Sequence, residues 1–223
     1  RAAMRALRVV VTPLAADQPH RAWADIRGLL AGPGGLDPQV RELSLASFER
    51  LAEAEARVHR IRPEEVHFHE VGAWDSVADV VGTCAAYVDL GVDLLVASPV
   101  EVGSGTVATA HGRLPVPAPA VAELLAGWPI TGERQGECAT PTGAALVRVL
   151  AARFGPLPPM RLRRTGVGAG SRDASDRPNV VRVLVGEPGT GDEHAGRPVL
   201  TLVETNVDDL DPRLWPGVID ATL

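Results

Sequence analysis

Apolar and polar positions alternate along this chain with two different periods. His20 to Ala31 carries Trp23, Ile26, Leu29 and Leu30 at helical spacing, which predicts a short helix broken by Gly32-Pro33-Gly34-Gly35. A longer helix is predicted from Pro38 to Arg60. Val40, Leu43, Phe48, Leu51, Ala54 and Val58 mark its inner face, with Asp37 as N-cap, Pro38 in the first turn and Glu53–Arg57 as an i,i+4 pair. A third helix is capped by Asp75 or Ser76 and runs to Leu90; Val77, Val80, Val81, Cys84, Ala85 and Val88 give it the clearest stripe in the sequence. Two more are predicted over Pro119–Ala126 and Thr140–Phe154, each with a proline near its start. Strands are expected at Leu7–Val11, Val66–Glu70, Leu94–Val102 (interrupted by Pro99), Met160–Val167, Val180–Gly186 and Val199–Asn206. Helices and strands alternate, so the fold class is α/β, a mixed sheet with helices packed against it. Residues 1–203 read as one domain and 204–223 as the beginning of the next or a linker.

Composition narrows the function. The 223 residues carry a net charge of −6, and all 22 basic residues are Arg. Net acidity argues against nucleic-acid coating, which needs a basic footprint. Without Lys there is no Schiff base and no P-loop lysine. Two widely spaced cysteines, Cys84 and Cys138, form neither a disulfide framework nor a zinc knuckle, so a reducing cytoplasm is expected. No run is long and apolar enough to predict a membrane-spanning helix, and no signal peptide is evident.

Five segments could carry chemistry. In Val66-His67-Phe68-His69-Glu70, strand alternation turns Val66 and Phe68 to the core and His67 and His69 to the other side. Two imidazoles so placed, followed by Glu70, Asp75 and Asp79, can hold a metal ion. The same residues equally read as a helix N-terminus with its favourable acids and two solvated histidines. Gly103-Ser104-Gly105-Thr106, with His111 shortly after, reads best as a glycine-rich turn. Thr140-Pro141-Thr142-Gly143 opens a helix and can bind an anion through backbone amides. Thr140 and Pro141 are explained by capping alone, whereas Gly143 is not, since glycine costs about 1 kcal/mol inside a helix. Gly166-Val167-Gly168-Ala169-Gly170 resembles a nucleotide loop but opens no helix, so a dinucleotide fold is rejected. Arg161, Arg163, Arg164, Arg172 and Arg177 surround it, as a phosphate or carboxylate site or as a solvated strand face. Glu204, Asp208, Asp209 and Asp211 resemble a hard-cation site or a helix cap. Cys84 reads as packing; Cys138 reads as a small buried residue or a thiolate ligand.

Taken together, these motifs resemble the LarC family. The resemblance lies in Glu65-Val66-His67-Phe68-His69-Glu70-Val71-Gly72-Ala73, Asp75-Ser76, Asp79-Val80-Val81-Gly82, Gly103-Ser104-Gly105-Thr106, Ala110-His111-Gly112 and Leu114-Pro115-Val116-Pro117-Ala118-Pro119-Ala120. Thr140-Pro141-Thr142-Gly143-Ala144-Ala145 and Glu204-Thr205-Asn206-Val207-Asp208-Asp209 extend it, in family order over residues 20 to 212. It implies a nickel insertase that places Ni²⁺ into a pyridinium bis-thiocarboxylic acid mononucleotide, in a CTP-dependent reaction using Mg²⁺ or Mn²⁺. The product is the nickel pincer cofactor of lactate racemase and related enzymes. On this reading His67, His69, Glu70, Asp75 and Asp79 present the metal. Thr140, Thr142, Gly143, Arg164 and Arg172 hold the anionic nucleotide, and no catalytic residue is assigned. The family's Cys-Phe-Ser-Gly-type start is missing and only His20 stands where many members have a His-rich stretch. The C-terminal domain associated with CTP and oligomerisation would follow Asp211. The chain is therefore expected to be an internal segment of a protein that forms a homo-oligomer. Two other readings stay open: a non-catalytic metal or nucleotide module, and a metal-dependent hydrolase using His67, His69 and Asp79.

Overall fold

The computed structural model describes residues 5–12, 21–68, 74–109, 112–170 and 178–188, all within the compact unit Arg1–Pro188. The expected strand at 199–206, the boundary after 203 and the acidic cluster Glu204–Asp211 lie outside these residues.

A short strand β1 (Arg21–Ala22) leads into α1 (Trp23–Ala31), followed by the long α2 (Pro38–His59). Helix α2 starts as expected: the Asp37 carboxylate accepts the amides of Gln39 at 2.8 Å and Val40 at 3.3 Å, and Pro38 occupies the first turn. It is the central element of the core. Helices α1, α3 (Trp74–Asp89), α4 (Pro119–Leu124) and α5 (Pro141–Leu150) all pack on it. Its inner face buries Phe48 and Leu51 beside Ala52, Ala54, Ala56 and the hydroxyls of Ser44 and Ser47. Those hydroxyls donate back to Val40 and Leu43 carbonyls at 2.7 and 2.8 Å, so their burial leaves no polar group unmatched. Arg57 does not pair with Glu53; its Nε reaches α4 and donates to Glu123 at 2.8 Å.

The α/β alternation holds, but among the described residues the strands form six two-stranded ladders rather than one sheet. Strand β2 (His67–Phe68) pairs antiparallel with β1. The extended segment expected at Leu94–Val102 is broken at Ser98-Pro99 into β3 (Val96–Ala97) and β4 (Val100–Glu101), and continues as β5 (Gly103–Ser104). Each piece takes a different partner. Strand β3 pairs parallel with β10 (Arg153–Phe154), β4 parallel with β8 (Ile130–Thr131), and β5 antiparallel with β9 (Gly136–Glu137). Pairing with β3 is also why α5 stops at Leu150 instead of reaching Phe154: Ala152 donates its amide to the Leu95 carbonyl at 3.0 Å, which a helical turn would forbid. A hairpin joins β6 (Thr106–Thr109) to β7 (Gly112–Pro115). A longer one joins β11 (Met160–Ala169) to β12 (Val180–Pro188), with a bulge between Leu162 and Arg164. The N-terminal segment expected as a strand makes only a bridge, but its partner is plain: Leu7 exchanges hydrogen bonds with Val167 and Ala169 on β11.

Candidate functional site

Strand β2 behaves as its alternation requires. Val66 and Phe68 are fully buried, Phe68 packing against Phe48 with ring centroids 6.2 Å apart, while His67 between them is exposed. The ladder to β1 sets Ala22 opposite His67 and Arg21 opposite Phe68. His69 and Glu70, the next two expected ligands, lie outside the described residues, as does His111.

Helix α3 is already formed at Trp74, at least two residues earlier than a cap at Asp75 or Ser76 allows, so Asp75 lies within the helix rather than at its cap. There its Oδ1 accepts the Ser76 amide at 2.8 Å. Ser76, Val77, Val80 and Cys84 are buried; Trp74, Asp75 and Asp79 stand outward. The two acids are one helical turn apart. Partial burial, with the Asp75 charge adding to it, pushes the Asp79 carboxyl above the usual carboxylate range. Among the described residues no three or more His, Cys, Asp and Glu side chains gather as a metal cluster, so His67, Asp75 and Asp79 do not close one by themselves.

At the start of α5, Thr140 is the N-cap; its Oγ1 accepts the Gly143 amide at 3.2 Å. Pro141 has no N–H and Thr140 occupies that of Gly143, so this helix start offers an anion fewer amides than an uncapped one. Gly143 is exposed. A Cβ there would meet only Thr140 Oγ1, at an ordinary 3.5 Å, so packing does not demand glycine. Thr140 is exposed and Thr142 half-buried. Arg164 is exposed on the β11–β12 hairpin, a different element, and Arg172 lies outside the described residues. Its neighbour Arg163 is held by Glu187 at 2.8 Å, in keeping with a solvated strand face.

The glycine-rich segment at 103–106 is explained by packing. Gly103 has φ +87°, and a Cβ on it would collide with the Gly136 carbonyl, because β5 and β9 lie against each other there. Sequence reasoning missed the residue that holds this junction. Glu101 accepts the Thr131 hydroxyl at 2.7 Å and the amides of Gly103, Glu133 and Arg134 at 3.0 to 3.3 Å. Its partial burial pushes the carboxyl up, but these four donors outweigh that and hold it below the usual range. No motif announces such a role, since three of the donors lie some thirty residues away. Sequence reasoning also missed the Arg21 guanidinium, whose Cζ lies 4.0 Å from the Trp74 ring centroid. Cys84 is buried, as expected, with burial pushing its thiol up against weaker contributions from Ser44 and Ser47. Cys138 is half-buried and free, its Sγ 3.7 Å from the Gly136 carbonyl. No helix among the described residues is long and apolar enough to cross a membrane.

Comparison with known proteins places these residues in a family. No solved structure matches the chain. A curated Nocardioides protein named pyridinium-3,5-bisthiocarboxylic acid mononucleotide nickel insertion protein is 55% identical over 92% of this chain and 51% of its own length. Proteins named putative nickel insertion protein from Citrifermentans bemidjiense and Geobacter sulfurreducens are 49% and 47% identical. They match over 96% and 92% of this chain and 54% and 52% of their own lengths. The chain thus spans about half the length of the curated relatives it matches. The family model described as nickel insertion protein covers residues 1–223, so the exposed His67 and the paired acids of α3 stand on a chain that belongs to the nickel insertion protein family.

Proposed function

We propose that this chain is the nickel-presenting part of an insertase that places Ni²⁺ into pyridinium-3,5-bisthiocarboxylic acid mononucleotide. The observation that carries the reading is the likeness to the Nocardioides insertion protein, in which the His67–Asp79 segment falls within the matched region. Here Ni²⁺ is cargo. His67, His69, Glu70, Asp75 and Asp79 are its proposed ligands. Mixed imidazole and carboxylate ligation binds Ni²⁺ well yet yields it to softer sulfur donors, such as the thiocarboxylates of the acceptor. The like charge of Asp75 one turn from Asp79, which raises the Asp79 carboxyl, supports this, because a bound cation would relieve that repulsion. Thr140, Thr142, Gly143, Arg164 and Arg172 are the proposed contacts for the phosphate and carboxylate-type groups of the nucleotide, with the exposure of Gly143, which packing does not require to be glycine, as support. CTP with Mg²⁺ or Mn²⁺ and assembly as a homo-oligomer complete the proposal. So does a cytoplasmic setting, in which Cys84 and Cys138 stay reduced.

The test is nickel transfer. The purified chain, loaded with Ni²⁺, is mixed with the thiolated nucleotide, CTP and Mg²⁺, and the nickel-bearing product is followed by mass spectrometry. Calorimetry of Ni²⁺ with wild type and His67→Ala runs in parallel. Metal bound without transfer supports the alternative, a non-catalytic metal or nucleotide module that needs a partner domain. Ni²⁺ binding that is absent, or indifferent to His67→Ala, removes the proposed site.

A further inference from the structure

We infer that Trp74, with Arg21 laid across it, is the platform that receives the pyridinium ring of the acceptor nucleotide, an inference that rests on the function proposed above. Trp74 is the largest side chain of α3, yet it takes no part in the packing stripe of Ser76, Val77, Val80 and Cys84 and stays 38% exposed. Trp and Arg are the side chains that most often carry binding energy at recognition surfaces, and this indole keeps part of its surface open. The Arg21 guanidinium, its Cζ 4.0 Å from the ring centroid, stacks closer than Arg148 on Trp128 at 4.9 Å or Arg27 on Trp23 at 6.0 Å. Backbone pairing brings Arg21 there, since β1 lies in register with β2 at Arg21↔Phe68. Asp75, a proposed nickel ligand, follows Trp74 on the same helical turn.

The chemistry of the acceptor fits this pair. A pyridinium ring is flat and cationic, and an indole face attracts such a cation beyond ordinary stacking. The thiocarboxylates on that ring are anionic and planar, the partner a guanidinium fork prefers. Ring on indole and acid on guanidinium would hold the reacting sulfurs at the turn that carries Asp75 and Asp79. A phosphate alone would gain nothing from Trp74, and an uncharged ring would gain less than a pyridinium.

Binding of nicotinic acid mononucleotide (a pyridinium 3-carboxylate), nicotinamide mononucleotide and ribose 5-phosphate is measured by calorimetry on the full chain. The variants are Trp74→Ala, Trp74→Leu, Trp74→Phe and Arg21→Gln, each checked for helicity and melting temperature. Loss of the stacking partner is expected to weaken both pyridinium nucleotides roughly tenfold in Trp74→Ala and Trp74→Leu, with Trp74→Phe retaining most of the affinity. Ribose 5-phosphate should bind all Trp74 variants alike. Arg21→Gln should weaken the carboxylate-bearing nucleotide more than its amide. Wild-type affinity in a folded Trp74→Leu, or a Trp74→Phe as weak as Trp74→Leu, overturns the platform and leaves the insertase reading standing. A wild-type chain that binds no pyridinium nucleotide overturns both.

Discussion

Asp79→Asn separates function from stability, because the two should move in opposite directions. In the folded chain the Asp79 carboxyl is partly buried and faces the Asp75 charge one turn away, and both effects raise its pKa above the unfolded value. A group with a raised folded pKa contributes stability that is fully present below its unfolded pKa and is lost as pH rises through its folded one. At neutral pH wild-type Asp79 is therefore a small destabilising charge. Like charges at i,i+4 on an exposed helix cost about 0.2–0.5 kcal/mol, and the solvent around Asp75 and Asp79 keeps the value near that range. For a chain of this size about 0.5 kcal/mol corresponds to roughly 1–2 °C in Tm. Metal-free Asp79→Asn should melt that much higher than wild type at pH 7.5, and the difference should vanish in acid, where the wild-type carboxyl is protonated. With Ni²⁺ added, wild type should gain stability by mass action and the variant should gain much less. Differential scanning calorimetry with and without Ni²⁺ at two pH values reads all of this. A variant that melts lower at pH 7.5, or an undiminished response to Ni²⁺, would refute the account of Asp79.

Three further substitutions probe the framework and the second proposed contact. Glu101→Ala strands four donors and should cost about 2–3 kcal/mol by chemical denaturation. Because its folded pKa is lowered, the Glu101 contribution should be present above the usual carboxylate range and lost as pH falls through the folded value, so the gap between wild type and variant should close in acid. Gly103→Ala meets both a left-handed φ and the Gly136 carbonyl; a loss of about 3 kcal/mol or more is expected, seen as low soluble yield or a Tm lower by several degrees. Gly143→Ala should stabilise α5 by about 0.5–1 kcal/mol, since nothing crowds a Cβ there, while weakening the acceptor nucleotide. Stabilisation with unchanged nucleotide affinity would show Gly143 to be no contact.

What could be read in the sequence follows the range of the forces involved. Helix α2 was legible from end to end because Asp37, Pro38 and the apolar stripe are local signals. The outward turn of His67 was legible too, as strand alternation fixes it once Val66 and Phe68 are buried. Expectation failed where partners come from afar. Phe154 leaves the helical pattern to pair with Ala97, and Arg57 leaves its i,i+4 neighbour for Glu123, 66 positions along the chain. Two-residue strands such as β8 and β9 are too short to show a period at all, so the division into six ladders was invisible. The same holds at the site: Asp75 and Asp79 are neighbours by helical spacing, whereas no spacing rule joins Arg21 to Trp74.

The core explains how the exposed first turns of α3 are held in place. Helix α2 presents small buried residues, Ser44, Ser47, Ala52, Ala54 and Ala56, alongside Phe48 and Leu51. Small side chains let neighbouring helices approach closely and lose little rotamer freedom on burial. Helix α3 uses that closeness: its Cys84 thiol lies against Ser44 and Ser47, and Val77 and Val80 belong to the same buried cluster. Rotation of α3 about its axis would pull these groups from a close-packed interior, so the direction of its outer face is fixed from beneath. At the first turn the Arg21–Trp74 stack ties the same helix to β1, whose ladder with β2 also positions His67. His67 and the acids of α3 thus stand on two elements fastened to one another and, through Phe68 on Phe48, to α2. As the proposed nickel ligands, groups anchored this way would need little ordering when Ni²⁺ arrives. Their outward exposure would leave the metal open to the proposed acceptor.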